Sequence, residues 1–236
     1  MPNTTNIFVL GNGESRQGIK LEDLSLHGLI YGCNALYREF APDMLISVDP
    51  GMHNEILATD YIENNKVCFR EMNQAPNERF TMVNGRLVRD LVVPWDHPNV
   101  TKVQDIIASD TRRRDQHFVV KAGQDVLKNG FSSGPQAANM ACCLEKPSDV
   151  YLIGHDLLDN NTDKINNIYK DTLNYSPSTA APTPVGNWIE HLKLVFLDWP
   201  TINFWHVGFS GFIAPWEKLE NIQSIPLLEM WERLNK

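Results

Sequence analysis

The 236-residue chain is 42% hydrophobic and has 29 acidic against 21 basic residues, a formal net charge of −8. This length and apolar content are enough for one large buried core. The acidic balance excludes a protein whose main task is to coat nucleic acid, because such proteins neutralise phosphates with many lysines and arginines.

Seven short apolar runs, each ending in small or polar residues, predict buried strands. The runs are nearly continuous rather than alternating, which is typical of strands buried on both faces of a parallel sheet. In chain order they are IFVLGNG from Ile7, LIYGCN from Leu29, DMLISVD from Asp43, KVCFR from Lys66, HFVVKAG from His117, VYLIGHD from Val150 and INFWHVG from Ile202.

Two helical patterns lie between the later runs. SGPQAANMACCLE from Ser133 opens with residues suited to a helix N-terminus, and GNWIEHLKLVFLDW from Gly186 places apolar residues on one face before Pro200. Strands alternating with helices predict an α/β fold, a Rossmann-like, mostly parallel sheet flanked by helices. With no internal repeat or shift in composition, residues 1–236 are expected to form a single domain.

Two segments depart from this alternation. Residues 159–186 are rich in Asn, Asp, Ser, Thr and Pro and predict a lid-like insertion, in which Tyr169 and Tyr175 favour a functional loop over a disordered one. Residues 215–236 carry two short amphipathic segments broken at Pro226. We expect this C-terminal helical segment to pack on the domain or on a second copy of the chain. In the second case the protein would form a homo-oligomer.

Cysteines, histidines and arginines show no metal-binding or targeting pattern. Four cysteines without a CxxC spacing, and an N-terminus without a signal peptide, predict reduced, buried thiols in a cytoplasmic protein with no membrane span. The histidines have no HxxxH or HExxH spacing, so no metal is expected. Arg112 to Arg114 are bracketed by Asp110 and Asp115, which favours a solvated helix face.

Polar residues end four of the predicted strands. In an open α/β sheet ligands bind beyond the carboxyl ends of the strands, so the fold should gather these side chains along one edge as a binding site. The alternative is that each is a strand-ending turn residue. They are Asn12, Asn34, Asp49 and Asp156.

The stretch GNGES after the first strand raises the question of a phosphate cradle. Gly11 and Gly13 allow a ligand to approach the backbone closely, although a plain tight turn explains them equally well. Arg16 stands at the third glycine position of the dinucleotide-binding motif GxGxxG, and the lysine of the Walker A motif is absent. The sequence therefore supports neither a dinucleotide-binding motif nor a P-loop.

Two further stretches carry candidate site residues. Ser132, Ser133 and Gly134 lead into a helix; one serine suffices to cap it, and the other is a candidate for binding phosphate or ribose. VYLIGHD ends in a His-Asp pair suited to proton transfer. Because neighbouring strand residues point to opposite faces, the two should not both face one pocket unless a turn intervenes; we expect Asp156 to face the site and His155 to lie half-packed beneath the lid.

Taken in order, VLGNGESR, YGCNALY, LISVDPGMH, FSSGPQAANMA and YLIGHDLL followed by NNIYKDTLNY resemble the motifs of the bacterial sialyltransferase-like glycosyltransferases, the family of the Campylobacter lipooligosaccharide sialyltransferase. They are similar also to flagellin glycosyltransferases and archaeal hydroxymethylpterin diphosphokinases. NNIYKDTLNY before PTPVGNW resembles proteins of marine bacteriophages, which implies a host-cytoplasmic location.

The resemblance implies a nucleotide-sugar site. Asn34 and Asp49 would hold the base, ribose or donor sugar, and Tyr169 would hydrogen-bond the leaving phosphate without a metal. The family histidine that acts as general base is missing from STAAPTPVGN, so Asp49 or Asp156 would have to replace it, or His191 if its helix starts differently. The remaining nucleotide and sugar contacts would come from Gly11, Asn12, Gly13, Ser15, Ser132, Ser133, Gly134, Gly154 and His155.

Two other departures weaken the match, since Leu158 replaces a second tyrosine and Gly130 replaces an arginine. The sequence therefore predicts a metal-independent glycosyltransferase that uses a CMP- or UDP-linked donor and no cofactor, with an unknown glycan, protein or nucleic-acid acceptor. One alternative is an ATP-dependent diphosphotransferase of the pterin type. The other is a non-catalytic phage protein that binds a nucleotide or sugar.

Overall fold

A computed structural model describes residues 6–72, 80–83, 86–89, 97–105, 119–122, 125–128, 131–157, 164–208, 216 and 218–235. Twelve strands lie in this part of the chain: β1 (Asn6–Leu10), β2 (Gly28–Cys33), β3 (Met44–Ser47), β4 (Val67–Met72), β5 (Phe80–Val83), β6 (Arg86–Arg89), β7 (Val100–Asp105), β8 (Val119–Ala122), β9 (Asp125–Lys128), β10 (Asp149–Ile153), β11 (Asn203–Val207) and β12 (Ile222–Ile225).

Eight strands form one parallel sheet in the order β12-β11-β10-β1-β2-β3-β4-β7. The α-helices of the described residues are α1 (Leu21–Ser25), α2 (Pro50–Leu57), α3 (Tyr61–Asn64), α4 (Ser133–Glu145), α5 (Gly186–Asp198) and α6 (Leu227–Leu234). The predicted α/β, Rossmann-like architecture of a parallel sheet flanked by helices is confirmed.

The sheet has an apolar core on each face, as its continuous apolar runs require. On β1, Ile7 and Val9 join the core beneath α4 and α5, whereas Phe8 and Leu10 join the core beneath α1, α2, α3 and α6. The four cysteines are buried and free, as expected. No helix within the described ranges is both long and apolar enough to cross a membrane.

Two sequence predictions about the sheet are wrong. The run HFVVKAG does contain a strand, β8, but β8 pairs antiparallel with β9 in a separate two-stranded ribbon rather than joining the parallel sheet. The C-terminal segment is not wholly helical, because β12 precedes α6 and forms the sheet edge beside β11. In the four residues of β12 only Ile222 and Ile225 are buried, a three-residue spacing that does not alternate and is too short to separate a strand from a helix.

The predicted insertion is described from residue 164 onward. Residues 164–185 form turns without a helix or strand, and α5 begins at Gly186 as predicted. Residues 159–163, like the arginine cluster 112–114, Gly130 and Leu158, lie outside the described residues.

Candidate functional site

A cavity of about 490 Å³ lies beyond the carboxyl ends of β1, β2, β3 and β10. The N-terminus of α4, residues 164–185 and the start of α5 complete its walls. Its position and size are those of a small-molecule site in an open α/β fold. Every predicted site residue except Ser15 and Tyr169 lines it: Gly11, Asn12, Gly13, Asn34, Asp49, Ser132, Ser133, Gly134, Gly154, His155, Asp156 and His191.

The glycines after β1 are required by close packing between two strand ends. The N–H groups of Gly11 and Gly13 donate to the carbonyls of Ile153 and Gly154, each at 2.8 Å. A Cβ on Gly11 would lie 2.4 Å from the Gly154 oxygen, and one on Gly13 would lie 2.4 Å from Cγ of Asp156. Both glycines are buried and border the cavity, so close packing alone explains why these positions are glycine.

His155 and Asp156 both line the cavity, because Gly154 turns the chain just before them with φ +71°. Asp156 is buried and accepts hydrogen bonds from the backbone N–H (3.0 Å) and the hydroxyl of Ser15. Ser15 therefore holds the aspartate instead of lining the cavity. Burial, with a smaller effect of His206, lowers the pKa of His155 to about 3, so its ring is neutral at physiological pH.

A chain of hydrogen bonds orients the carboxylate of Asp49. The Ser133 hydroxyl accepts from the Val48 N–H (3.3 Å) and donates to Oδ1 of Asn34 (2.8 Å). The Asn34 amide then donates to Asp49 at 3.3 Å. Asp49 is exposed to the cavity, so this carboxylate is held in place yet remains accessible.

Neither serine caps α4, contrary to expectation. Ser132 occupies the N-cap position without a side-chain cap bond, and its buried hydroxyl has no hydrogen-bond partner among the described residues. Ser133 is used by the chain of bonds to Asp49. The first turn of α4 thus meets the cavity without a side-chain cap from Ser132, and backbone N–H groups of this kind attract anions.

The two tyrosines of the 164–185 segment differ in position. Tyr169, predicted to contact a leaving phosphate, is buried outside the cavity, and its hydroxyl is bonded to Glu39 and to Arg16 (3.0 Å). Tyr175 lines the cavity instead. Its hydroxyl accepts from the Asn12 amide at 3.0 Å and from the Ala35 N–H at 3.3 Å, and burial is the main cause that raises its pKa.

Residues 164–185 are attached to the turn that follows β1. The Ile168 N–H donates to the Asn12 carbonyl (2.9 Å), and the Glu14 N–H donates to the Asn166 side chain (2.8 Å). Lys170 forms an ion pair with Glu14 and also lines the cavity. The segment therefore brings lysine charge to the cavity, since Lys164 lines it as well.

The first turns of α5 form the remaining wall. Asn187, Trp188 and His191 line the cavity from one face of the helix. The His191 ring stacks on Phe131, with centroids 4.4 Å apart and planes inclined by 14°. His191 thus reaches the cavity from the second turn of α5, with the helix starting where the sequence predicted.

Sequence reasoning missed three contributions. Arg16 was read only as a failed glycine position, yet it is buried and donates to the Gly11 carbonyl (3.0 Å) and to Glu39 (2.8 Å). Tyr175 was noticed as an aromatic residue in a polar tract but given no site role. Trp188, one of the apolar residues in the GNWIEHLKLVFLDW pattern, was given no site role, yet it lines the cavity.

Groups suited to metal binding or to thiol chemistry are not found in the described part of the site. No set of three or more His, Cys, Asp or Glu among the described residues is arranged to hold a metal ion. Cys33 lines the cavity, but burial raises the pKa of its thiol to about 12, so the thiol stays protonated and weakly nucleophilic.

No protein-family model matches the chain, and no curated protein matches it in sequence. A solved structure that resembles it is the monofunctional alpha-2,3-sialyltransferase Cst-I from Campylobacter jejuni. The sequence identity is 15% and the TM-score is 0.49, and the match covers 91% of this chain and 79% of the other. A likeness this distant does not define the reaction.

Proposed function

We propose that this protein is a glycosyltransferase that moves a sugar from a CMP- or UDP-linked donor to an acceptor hydroxyl without a metal ion. The observation that carries the proposal is the composition of one cavity. That cavity combines groups that favour an anion with a carboxylate that is accessible and oriented by neighbouring side chains. A nucleotide-sugar displacement requires both.

The anion-binding groups suit the donor phosphate. The first turn of α4 lines the cavity without a serine side-chain cap, and no described residue hydrogen-bonds the buried Ser132 hydroxyl. Lys164 adds positive charge from the 164–185 segment, whereas the charge of Lys170 is paired with Glu14. Together these groups would stabilise the negative charge that develops on the leaving phosphate, the role that a metal ion has in other transferases.

Asp49 is the proposed general base. It would accept the proton of the acceptor hydroxyl while that oxygen forms a bond to the anomeric carbon. The bond between the anomeric carbon and the phosphate oxygen breaks at the same time, and the nucleotide leaves with the electron pair. Asn34, itself held by Ser133, orients Asp49 through a hydrogen bond. Catalytic bases in other enzymes are oriented by a neighbouring group in the same way.

Asp156 and His191 are weaker candidates for the base. Asp156 is buried, and its two carboxylate oxygens already accept hydrogen bonds from Ser15. The His191 ring is stacked on Phe131, which fixes its plane along the cavity wall. Asp49 combines exposure to the cavity with an orienting partner, so it is the residue to substitute first.

Substitution of Asp49 tests the proposal. With a CMP- or UDP-linked sugar and its acceptor or water, Asp49→Asn should lower kcat by about 10²- to 10⁴-fold, the usual loss when a general base is removed. Nucleotide binding should change little. Asp60→Asn is the matched control, since Asp60 is exposed and lies outside the cavity. Equal rates for Asp49→Asn and wild type would reject Asp49 as the base.

A chelator separates the proposal from the diphosphotransferase alternative, which would transfer from ATP with Mg²⁺. Turnover of the nucleotide-sugar should be the same with and without EDTA. Binding of CMP or UDP without turnover of either class of sugar nucleotide would instead support a non-catalytic binding protein.

A further inference from the structure

We infer that the α5 side of the cavity is an acceptor subsite that binds a carbohydrate ring against Trp188. The inference rests on the proposed function, because it names the class of acceptor used at the same cavity. The relevant surface is the face of α5 that lines the cavity and carries none of the proposed phosphate-binding groups. That face consists of Asn187, Trp188 and His191.

Trp188 offers the two features with which an indole recognises a sugar. Its ring is half-buried and packs on the core beneath α4 and α5, which holds it in place. It also lines the cavity, and no described residue hydrogen-bonds its indole N–H. The indole N–H groups of Trp199 and Trp205, in contrast, donate to Asn139 (3.1 Å) and Asp149 (2.8 Å).

An aromatic body with an available donor is suited to a carbohydrate. The C–H face of a pyranose ring packs on the indole surface, and a hydroxyl can accept from the N–H. Thr183 and Asn187 are exposed, line the same cavity, and supply a hydroxyl and an amide. These uncharged groups can pair with sugar hydroxyls at little desolvation cost.

The charges at the cavity argue against a nucleic-acid acceptor. Such an acceptor needs several cations for its phosphates. Lys164 and Lys170, which line the cavity, both belong to the 164–185 segment, and Lys170 is already paired with Glu14. The chain as a whole carries a net charge of −8. A concave cavity of about 490 Å³ is also better suited to binding a small sugar ring than to binding the flat surface of a protein acceptor.

Saturation-transfer NMR with the full chain tests the subsite. The probes are the methyl glycosides of galactose, glucose and N-acetylglucosamine, each measured with CMP or UDP present, beside a serine-containing tetrapeptide and a short oligonucleotide. We expect signals from the C–H face of at least one glycoside. Trp188→Leu should weaken its binding about tenfold, which is about 1.4 kcal/mol, whereas Trp188→Phe should weaken it about threefold.

Trp231→Leu is the matched control, because Trp231 is a partly buried tryptophan of α6 in the other core. Its glycoside binding should equal that of wild type. The inference is overturned if no glycoside binds while CMP or UDP raises the melting temperature, or if Trp188→Leu binds as wild type does. Preferred binding of the peptide or the oligonucleotide overturns it as well.

Failure of the proposed function has a different signature. In that case neither CMP nor UDP shifts the melting temperature and no nucleotide-sugar is turned over. Glycoside binding that depends on Trp188 would then still support a carbohydrate site.

Discussion

Acid should destabilise the protein through His155, a prediction that follows from how the strand-end turn is packed. His155 is only 7% exposed, and added Cβ atoms on Gly11 and Gly134 would lie 3.2 and 2.8 Å from its ring. Burial first, and then His206, lower its pKa from 6.5 to about 3. Below about pH 6.5 the imidazole of His155 binds a proton in the unfolded chain but not in the folded chain. The free energy of unfolding therefore falls as the pH drops from about 6.5 towards 3.

The size of the effect follows from the two pKa values. When the pH falls from 8 to 4.5, His155 is protonated in the unfolded chain over the last two pH units or so, while the folded ring stays neutral. This difference lowers the free energy of unfolding by about 2.7 kcal/mol. Urea unfolding at both pH values measures the loss of unfolding free energy. His155→Gln should lose about 2.7 kcal/mol less than wild type over this interval. Equal losses would refute a buried, neutral His155, whatever the stability of the variant at pH 8.

Three further substitutions test other parts of the site. Arg16→Met should lower the unfolding free energy, measured by urea titration, by about 2–4 kcal/mol. The variant loses charged hydrogen bonds to the Gly11 carbonyl, Glu39 and Tyr169. A change below about 0.5 kcal/mol would contradict this prediction. Gly13→Ala should abolish nucleotide binding in calorimetry, since its Cβ would lie 2.4 Å from the Asp156 carboxyl carbon, whereas Gly186→Ala has open space and should bind normally. Tyr175→Phe should cost about 1 kcal/mol by thermal unfolding through the lost acceptor of two hydrogen bonds; an unchanged melting temperature would argue against those bonds.

The strands that build the site were predictable because each is a continuous apolar run bounded by turn residues. Such a run does not identify its neighbour, however. The run containing β8 therefore looked like another sheet strand, although it pairs with β9, and the short β12 went unrecognised. Strand pairing depends on contacts between distant residues, which periodicity does not encode.

For the site, the strand-end rule identified residues that indeed line one cavity, among them Asn12, Asn34, Asp49 and Asp156. What it could not predict is how the side chains pair. Tyr169 and Tyr175 are six positions apart in one polar tract, but only Tyr175 reaches the cavity, because the hydroxyl of Tyr169 is bound by Arg16 and Glu39. That choice depends on a buried arginine far away in the sequence.

The central claim is that the cavity binds and cleaves a nucleotide-linked sugar, and hydrolysis of the donor tests it most directly because it needs no acceptor. Purified protein should release CMP or UDP from a CMP- or UDP-linked sugar in the presence of EDTA, and Asp49→Asn should reduce the rate by about 10²-fold or more. Absence of release from every CMP- and UDP-sugar, under conditions where the free nucleotide binds, would contradict the claim.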